Sequence, residues 1–149
     1  MIDQSKKLAL IRKIRRIQSH TQGGKEKEVV LSLNDYFDGD TSECCAILAN
    51  TTKQLSSEAC RHFLDGIASR PEVPHILIRF YDYEDALDFD DSWINSDTVF
   101  ISTSASLTEV NEWFNPLEPT TVEEVIDTKG FANLPAVPSG HRLFAVWWD

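Results

Sequence analysis

The chain lacks any apolar run approaching the ~20 residues that a membrane-spanning helix requires. Near the N-terminus there is positive charge but no apolar core and small-residue cleavage site, so no secretory leader is expected, and a cytoplasmic location follows as the expectation. Cysteine is scarce. Cys44, Cys45 and Cys60 are an odd number, with no CxxC and no zinc-finger pairing with histidine, which argues against a disulfide framework and for reduced structural thiols. The signatures G-x-G-x-x-G, G-x-x-x-x-G-K-[ST], H-E-x-x-H and G-x-S-x-G are all missing. Asp38-Gly-Asp40-Thr-Ser42 begins like a calcium loop but lacks the glycine at position six and the glutamate at position twelve. His20, His62, His75 and His141 are scattered along the chain. Neither a cofactor nor a metal nor a catalytic residue is therefore expected, and the balance leans away from an enzyme.

Lys and Arg are also scarce after the first 27 residues. The net charge is −10 overall. Residues 1–27 hold eight basic side chains against Asp3 and Glu26, a net of +6, which leaves six basic and 22 acidic side chains in the remaining 122 residues, a net of −16. An acidic body repels the phosphate backbone, so no nucleic-acid role is expected for it. It attracts cationic proteins and speeds their encounter. The acid is concentrated: Asp82, Glu84, Asp85, Asp88, Asp90, Asp91 and Asp97 fall within sixteen residues, interleaved with Tyr81, Tyr83, Phe89 and Trp93 and with no Lys or Arg. Aromatic anchors supply buried area and carboxylates supply complementarity at an interface with a basic protein. The candidate partner-binding set is accordingly Asp82, Tyr83, Glu84, Asp85, Asp88, Phe89, Asp90, Asp91 and Trp93. A solvated loop would carry the same residues. The alternative is an enzyme built from Asp35, Asp38, Asp40 and Asp97.

At 149 residues with 42% hydrophobic composition, the chain can form one domain with a substantial core. Residues 5–18 predict a basic amphipathic helix, with Leu10, Ile14 and Ile17 at i, i+4, i+7. It could dock on the acidic body or on a second copy, giving a homo-oligomer; anionic lipid and nucleic acid are lesser options. The glycine pair after Thr21 suggests a linker, which divides the chain into a basic arm (1–24) and an acidic α+β domain (25–149). Strands are predicted at 28–34 and 44–49, separated by a loop pivoting on Gly39. A helix capped by Ser56 or Ser57 follows, with Cys60, Phe63, Leu64 and Ile67 on one face. Next come strands at 74–83 and 97–103. Ser106-Leu-Thr-Glu109 has capping-box spacing ahead of a helix, and Pro116 and Pro119 stop it. Residues 120–141 read as irregular, with a helical turn at 122–126, and 141–149 as the last strand. In that strand one of Trp147 and Trp148 should pack in the core, leaving the other for an interface. The expected fold is α+β: a single mixed, mainly antiparallel sheet of about five strands (β-β-α-β-β-α-β) with helices on one face.

Four segments carry a resemblance: Leu33-Asn-Asp-Tyr-Phe-Asp-Gly39, Ser96-Asp-Thr-Val-Phe-Ile-Ser-Thr103, Trp113 with Leu117-Glu-Pro119, and Val146-Trp-Trp-Asp149. Over about residues 29–149 the chain resembles a family of small bacterial proteins of unassigned function. The resemblance implies a bacterial cytosolic protein and no reaction. The family pattern has a Trp-Pro pair before the Ser-Asp strand, where this chain has Trp93-Ile-Asn. In size and acidity alone the chain is similar to immunity proteins, which neutralise toxins.

Overall fold

The computed structural model describes all 149 residues, except for the side chain of Lys25. Helix α1 (Gln4–Ser19) starts where the Asp3 carboxylate accepts the Lys6 amide, 3.1 Å away. After a 3-10 turn the short strand β1 (Val30–Ser32) leads directly into α2 (Leu33–Phe37). The sequence predicts a strand and loop there. Instead the Ser32 hydroxyl caps the Asp35 amide, and Leu33, Tyr36 and Phe37, at helical spacing, turn inwards. Gly39 reverses the chain after α2 with φ +93°.

The predicted strand at 44–49 does not form. Cys45, Ile47 and Leu48 are buried around a 3-10 turn, Ala46–Leu48, since a short apolar run can satisfy burial as either strand or turn. Helix α3 (Ser57–Ala68) is capped by Ser56 and buries Cys60, Leu64 and Ile67. Strand β2 (His75–Arg79), helix α4 (Glu84–Asp88), strand β3 (Thr98–Thr103) and helix α5 (Leu107–Phe114) follow, and α5 has the full Ser106/Glu109 capping box. The helical turn predicted at 122–126 is instead strand β4 (Thr121–Glu124), in which Val122 lies opposite Val146 of β5 (Arg142–Trp147). Its β-branched residues fit a half-buried pleat better than a helix.

The chain is α+β with one five-stranded sheet in the order β1-β2-β3-β5-β4. Every neighbouring pair is antiparallel, so the sheet is not mixed. Its two faces are covered differently. Ile76, Ile78, Val99, Ile101, Phe144 and Val146 share one core cluster with residues from all five helices. On the other face Val30, Phe100 and Leu143 lie under Val125, Phe131, Leu134 and Val137 of the irregular segment, Phe131 packing edge-on against Phe100. The same segment closes the outer edge of β1. The Asn133 amide accepts from the Val30 N–H at 2.9 Å and donates to the Val30 carbonyl at 2.8 Å, pairing as a neighbouring strand would.

The division into residues 1–24 and 25–149 is a division of charge. In space α1 lies in the common core, burying Leu10, Ile11 and Ile14 beside the sheet and the other helices. Docking of this helix on the acidic body is the arrangement the structure contains. Lys6 and Lys13 pair with Asp38 and Asp35 along one flank. On that flank Gly39 meets the first turn, its carbonyl accepting the Asp3 amide at 3.0 Å.

Candidate partner-binding site

The acidic segment between β2 and β3 is a built loop with a short helix in it, not a free excursion. Its base is closed by Asn95. The Asn95 amide donates to the Asp82 carbonyl at 2.9 Å, and its side chain donates to the carboxylates of Asp82 (2.9 Å) and Asp85 (3.1 Å). The returning leg is anchored beneath. Trp93 is buried, its indole N–H donating to the Tyr36 carbonyl at 2.7 Å, while the Tyr36 hydroxyl donates to the Ile94 carbonyl at 2.7 Å. That burial pushes the Tyr36 phenol well above its ordinary range. Trp93 therefore supports the loop from inside, with little of its surface reaching solvent.

Helix α1 forms the other support. Lys7 is 2% exposed, and its ammonium donates to the carbonyls of Phe89 (3.0 Å), Ser92 (3.1 Å) and, at the limit, Asp90 (3.5 Å). A buried ammonium needs such acceptors, because desolvating it unpaired is costly. Gln4 donates to the Asp90 carbonyl at 2.7 Å. Arg15 donates to the Tyr83 hydroxyl at 3.3 Å and lies 5.2 Å over that ring. The sequence reading missed these supporting residues. Lys7 does carry a signal, since it stands three and seven residues before Leu10 and Ile14 on the stripe that α1 buries.

The basic helix thus holds the acidic loop through main-chain carbonyls and the Tyr83 side chain and leaves the carboxylates alone. Among the described residues, no Lys or Arg forms a salt bridge with Asp82, Glu84, Asp85, Asp88, Asp90 or Asp91. Glu84, Asp85, Asp88, Asp90 and Asp91 are exposed, as is Phe89, whereas Tyr83 is half-buried against Phe80. Beside the loop opens a cleft of about 690 Å³. Met1, Ile2, Ala46 and Trp93 give it apolar wall, and Glu43, Asp85, Asp90 and Asp91 give it charge. Cys44, which is exposed, also lines it. Among the described residues, no Lys or Arg does so.

The other four carboxylates do not converge. Asp35 and Asp38 are bound by α1 lysines, and Asp40 is buried, accepting from the hydroxyls of Ser42 (2.5 Å) and Ser57 (2.7 Å). Asp97 belongs to a network on the sheet, with Arg79 at 3.3 Å, Thr98 at 2.7 Å and the Trp147 indole at 3.3 Å. None of the four lines the cleft. Burial alone would lower the Arg79 pKa, but hydrogen bonding to Glu28 and the charges of Glu28 and Asp97 raise it above its ordinary value. Of the final tryptophans, Trp148 is the core residue, donating to the Leu117 carbonyl at 2.8 Å, and Trp147 is half-buried on the opposite face.

The description "Uncharacterized protein YfbO family" matches residues 5–146, nearly the whole chain. The chain belongs to the YfbO family. It is similar to the uncharacterised protein YfbO of Escherichia coli (strain K12), at 27% identity over 124 residues that cover 80% of this chain and 82% of that protein. No solved structure matches. The family match takes in α1, which the resemblance seen in the sequence left out, and this agrees with the place of α1 in the core. No helix of the described residues is long and apolar enough to cross a membrane.

Proposed function

We propose that this member of the YfbO family binds a cationic protein partner, using the acidic loop 82–93 and the cleft beside it. One observation carries the reading: the loop is fixed by Lys7 through carbonyl oxygens, so its exposed carboxylates keep their charge for an outside partner. Carboxylates held on a rigid frame lose little entropy on binding, and an acidic cleft with apolar walls focuses their field. Exposed Phe89 and Leu87 supply apolar contact at the rim. The cytoplasm suits this role, because the chain carries free thiols of the kind a reducing compartment maintains. The narrower form of the reading is an immunity protein that neutralises a cationic toxin, supported by small size and acidity. The converging carboxylates an enzyme would need are not supplied by Asp35, Asp38, Asp40 and Asp97, and this favours binding over chemistry.

Affinity purification from the source bacterium, run in parallel with the wild-type chain and with Asp85→Asn/Asp90→Asn/Asp91→Asn, tests the proposal. A stoichiometric basic protein held by the wild type, released by salt and lost from the triple variant, is the expected result. A partner that both chains retain equally, or no partner at low salt, overturns it. If one is found, co-expression protecting cells from that protein's toxicity would support the immunity role, and absence of protection would remove it.

A further inference from the structure

We infer that a hollow on the sheet, lined by Trp147 and the Arg79–Glu28 ion pair, is a binding site for a single pyranose sugar ring. The register of the strands builds it. Side chains two residues apart on a strand share a face, and Phe100 belongs to the face that the irregular segment partly covers. One row across this face runs Leu77, Phe100, Ala145 and Glu123, and the next runs Thr98, Trp147 and Thr121. The covering segment reaches the first row, where Phe131 packs on Phe100, but among the described residues it supplies no wall to the hollow. Ala145 is the small residue here, with Phe100 opposite it and Trp147 two places along its own strand. All three line a hollow of about 340 Å³. Two segments singled out in the sequence meet at this point: Ser96–Thr103 supplies Asp97, Thr98 and Phe100, and Val146–Asp149 supplies Trp147.

The polar wall is set in advance. Glu28 accepts from the Arg79 guanidinium at 2.7 and 3.1 Å. Asp97 accepts from Arg79 at 3.3 Å and from the Trp147 indole N–H at 3.3 Å, so one carboxylate positions the charged wall and an aromatic one. Groups held in this way lose little freedom when a ligand arrives. These bonds commit three of the five Arg79 N–H groups and leave two, and the Glu28 oxygens keep further lone pairs. Charge then selects the class of ligand. Inside the hollow Arg79 and Glu28 offset each other, while Glu123 is exposed to water at the β4 side. An anion would oppose the two glutamates, and a cation would oppose Arg79. A neutral apolar ligand would desolvate the free N–H groups without pairing them. A hydroxylated ring satisfies all three conditions: its oxygens accept from Arg79, its O–H groups donate to carboxylate, and its C–H groups meet the aromatic walls. The volume lies at the low end of the range for ligand pockets, roughly 300–1,000 Å³, and so suits one ring. No residue lining the acidic cleft also lines this hollow, so the inference stands apart from the proposed cationic partner.

Titration of the isotopically labelled chain with D-glucose, D-galactose, D-mannose and N-acetyl-D-glucosamine at millimolar concentrations tests it. The 4 tryptophans give separate indole N–H signals, and the one that Trp147→Phe removes belongs to Trp147. At least one of these sugars is expected to shift that signal saturably, together with amides at 98–100, 121–123 and 145–147, while the indoles of Trp93, Trp113 and Trp148 stay in place. Glycerol, which offers hydroxyls without a ring, should not move it. Ala145→Leu fills the hollow without removing a polar group and should raise the dissociation constant of the sugar that binds by about tenfold or more. Amide dispersion reports whether that variant folds. If it does not, Thr121→Phe, on an edge strand that suits an aromatic residue, takes its place with the same expectation. No saturable shift with any of the sugars, an equal response to glycerol, or an affinity that the folded variant keeps overturns the inference.

Discussion

Lys7 sets the shape of the loop, and the cost of losing it can be bounded. Hydrogen bonds to charged groups contribute about 1.5–3 kcal/mol each, and two of its three acceptors lie at 3.0–3.1 Å. Lys7→Met keeps the apolar stem and removes the ammonium, so it should cost about 2–4 kcal/mol in urea unfolding. It should also speed amide exchange at residues 89–93, where the backbone loses its anchor. Unchanged exchange there would mean that Trp93 and Asn95 hold the loop unaided. A second residue-scale expectation concerns alkali. Hydrogen bonding to Cys45 and burial push the Cys60 thiol up from its ordinary 9.0, and burial pushes the Tyr36 phenol up from 10.0. Both hold their protons more tightly in the folded chain than in the unfolded one. Their contribution is therefore complete below about pH 9 and lost as pH rises through 9 and then 10, at up to about 1.4 kcal/mol per pH unit for each group. Urea midpoints should fall above pH 9, and Cys60→Ala should delay the fall until near pH 10. Midpoints that stay level to about pH 10.5 would contradict the burial of both groups. Neither fact is visible in one dimension: Cys60 reads as core from its helical spacing, but Cys45 beside it and the carbonyls around Lys7 come from distant segments.

Elements with several concurring local signals are the ones legible in the chain. The capping box and apolar spacing placed α5, Ser56 and the Cys60–Leu64–Ile67 stripe placed α3, and apolar runs rich in β-branched or aromatic residues placed β2, β3 and β5. The misread segments, 33–37, 44–49 and 121–124, are each six residues or fewer, and there a local cap or tertiary pairing decides. The 44–49 run found no sheet neighbour and closed into a turn, whereas 121–124 found β5. The linker expected after α1 misled in another way, because glycine at 23–24 permits a tight turn as readily as a flexible tether. Gly39 is where α1 depends most on one backbone position. It has φ +93°, and a Cβ there would stand 2.7 Å from the Lys6 Cβ and 3.2 Å from that of Asp3. Gly39→Ala is predicted to cost about 1–3 kcal/mol through backbone strain, plus displacement of the first turn of α1. Denaturant unfolding together with amide shifts of Asp3–Lys7 measures this; a wild-type midpoint with unmoved shifts would show that the helix does not rest on that turn.

At the scale of the molecule, the uneven charge seen in the sequence survives folding in altered form. Composition alone assigned the −16 to a body and the +6 to an arm. Folding brings the arm into the core and partly spends its charge on Asp35 and Asp38. The loop carboxylates escape because the helix reaches the loop at its carbonyls and at Tyr83. Of the nine residues singled out, six are exposed, Asp82 and Tyr83 are half-buried, and Trp93 is inside. Trp93 reaches solvent only at the wall of the cleft, whereas the Phe89 and Leu87 side chains are exposed. The central claim is that cations are drawn to this loop more than to the rest of an acidic surface. A titration of isotopically labelled protein with a short oligolysine peptide at low ionic strength measures that directly, residue by residue. The account predicts amide shifts concentrated at 43–46 and 84–95 and abolished by salt. Shifts spread evenly over the surface, or centred on the β4 glutamates Glu123 and Glu124, would contradict it.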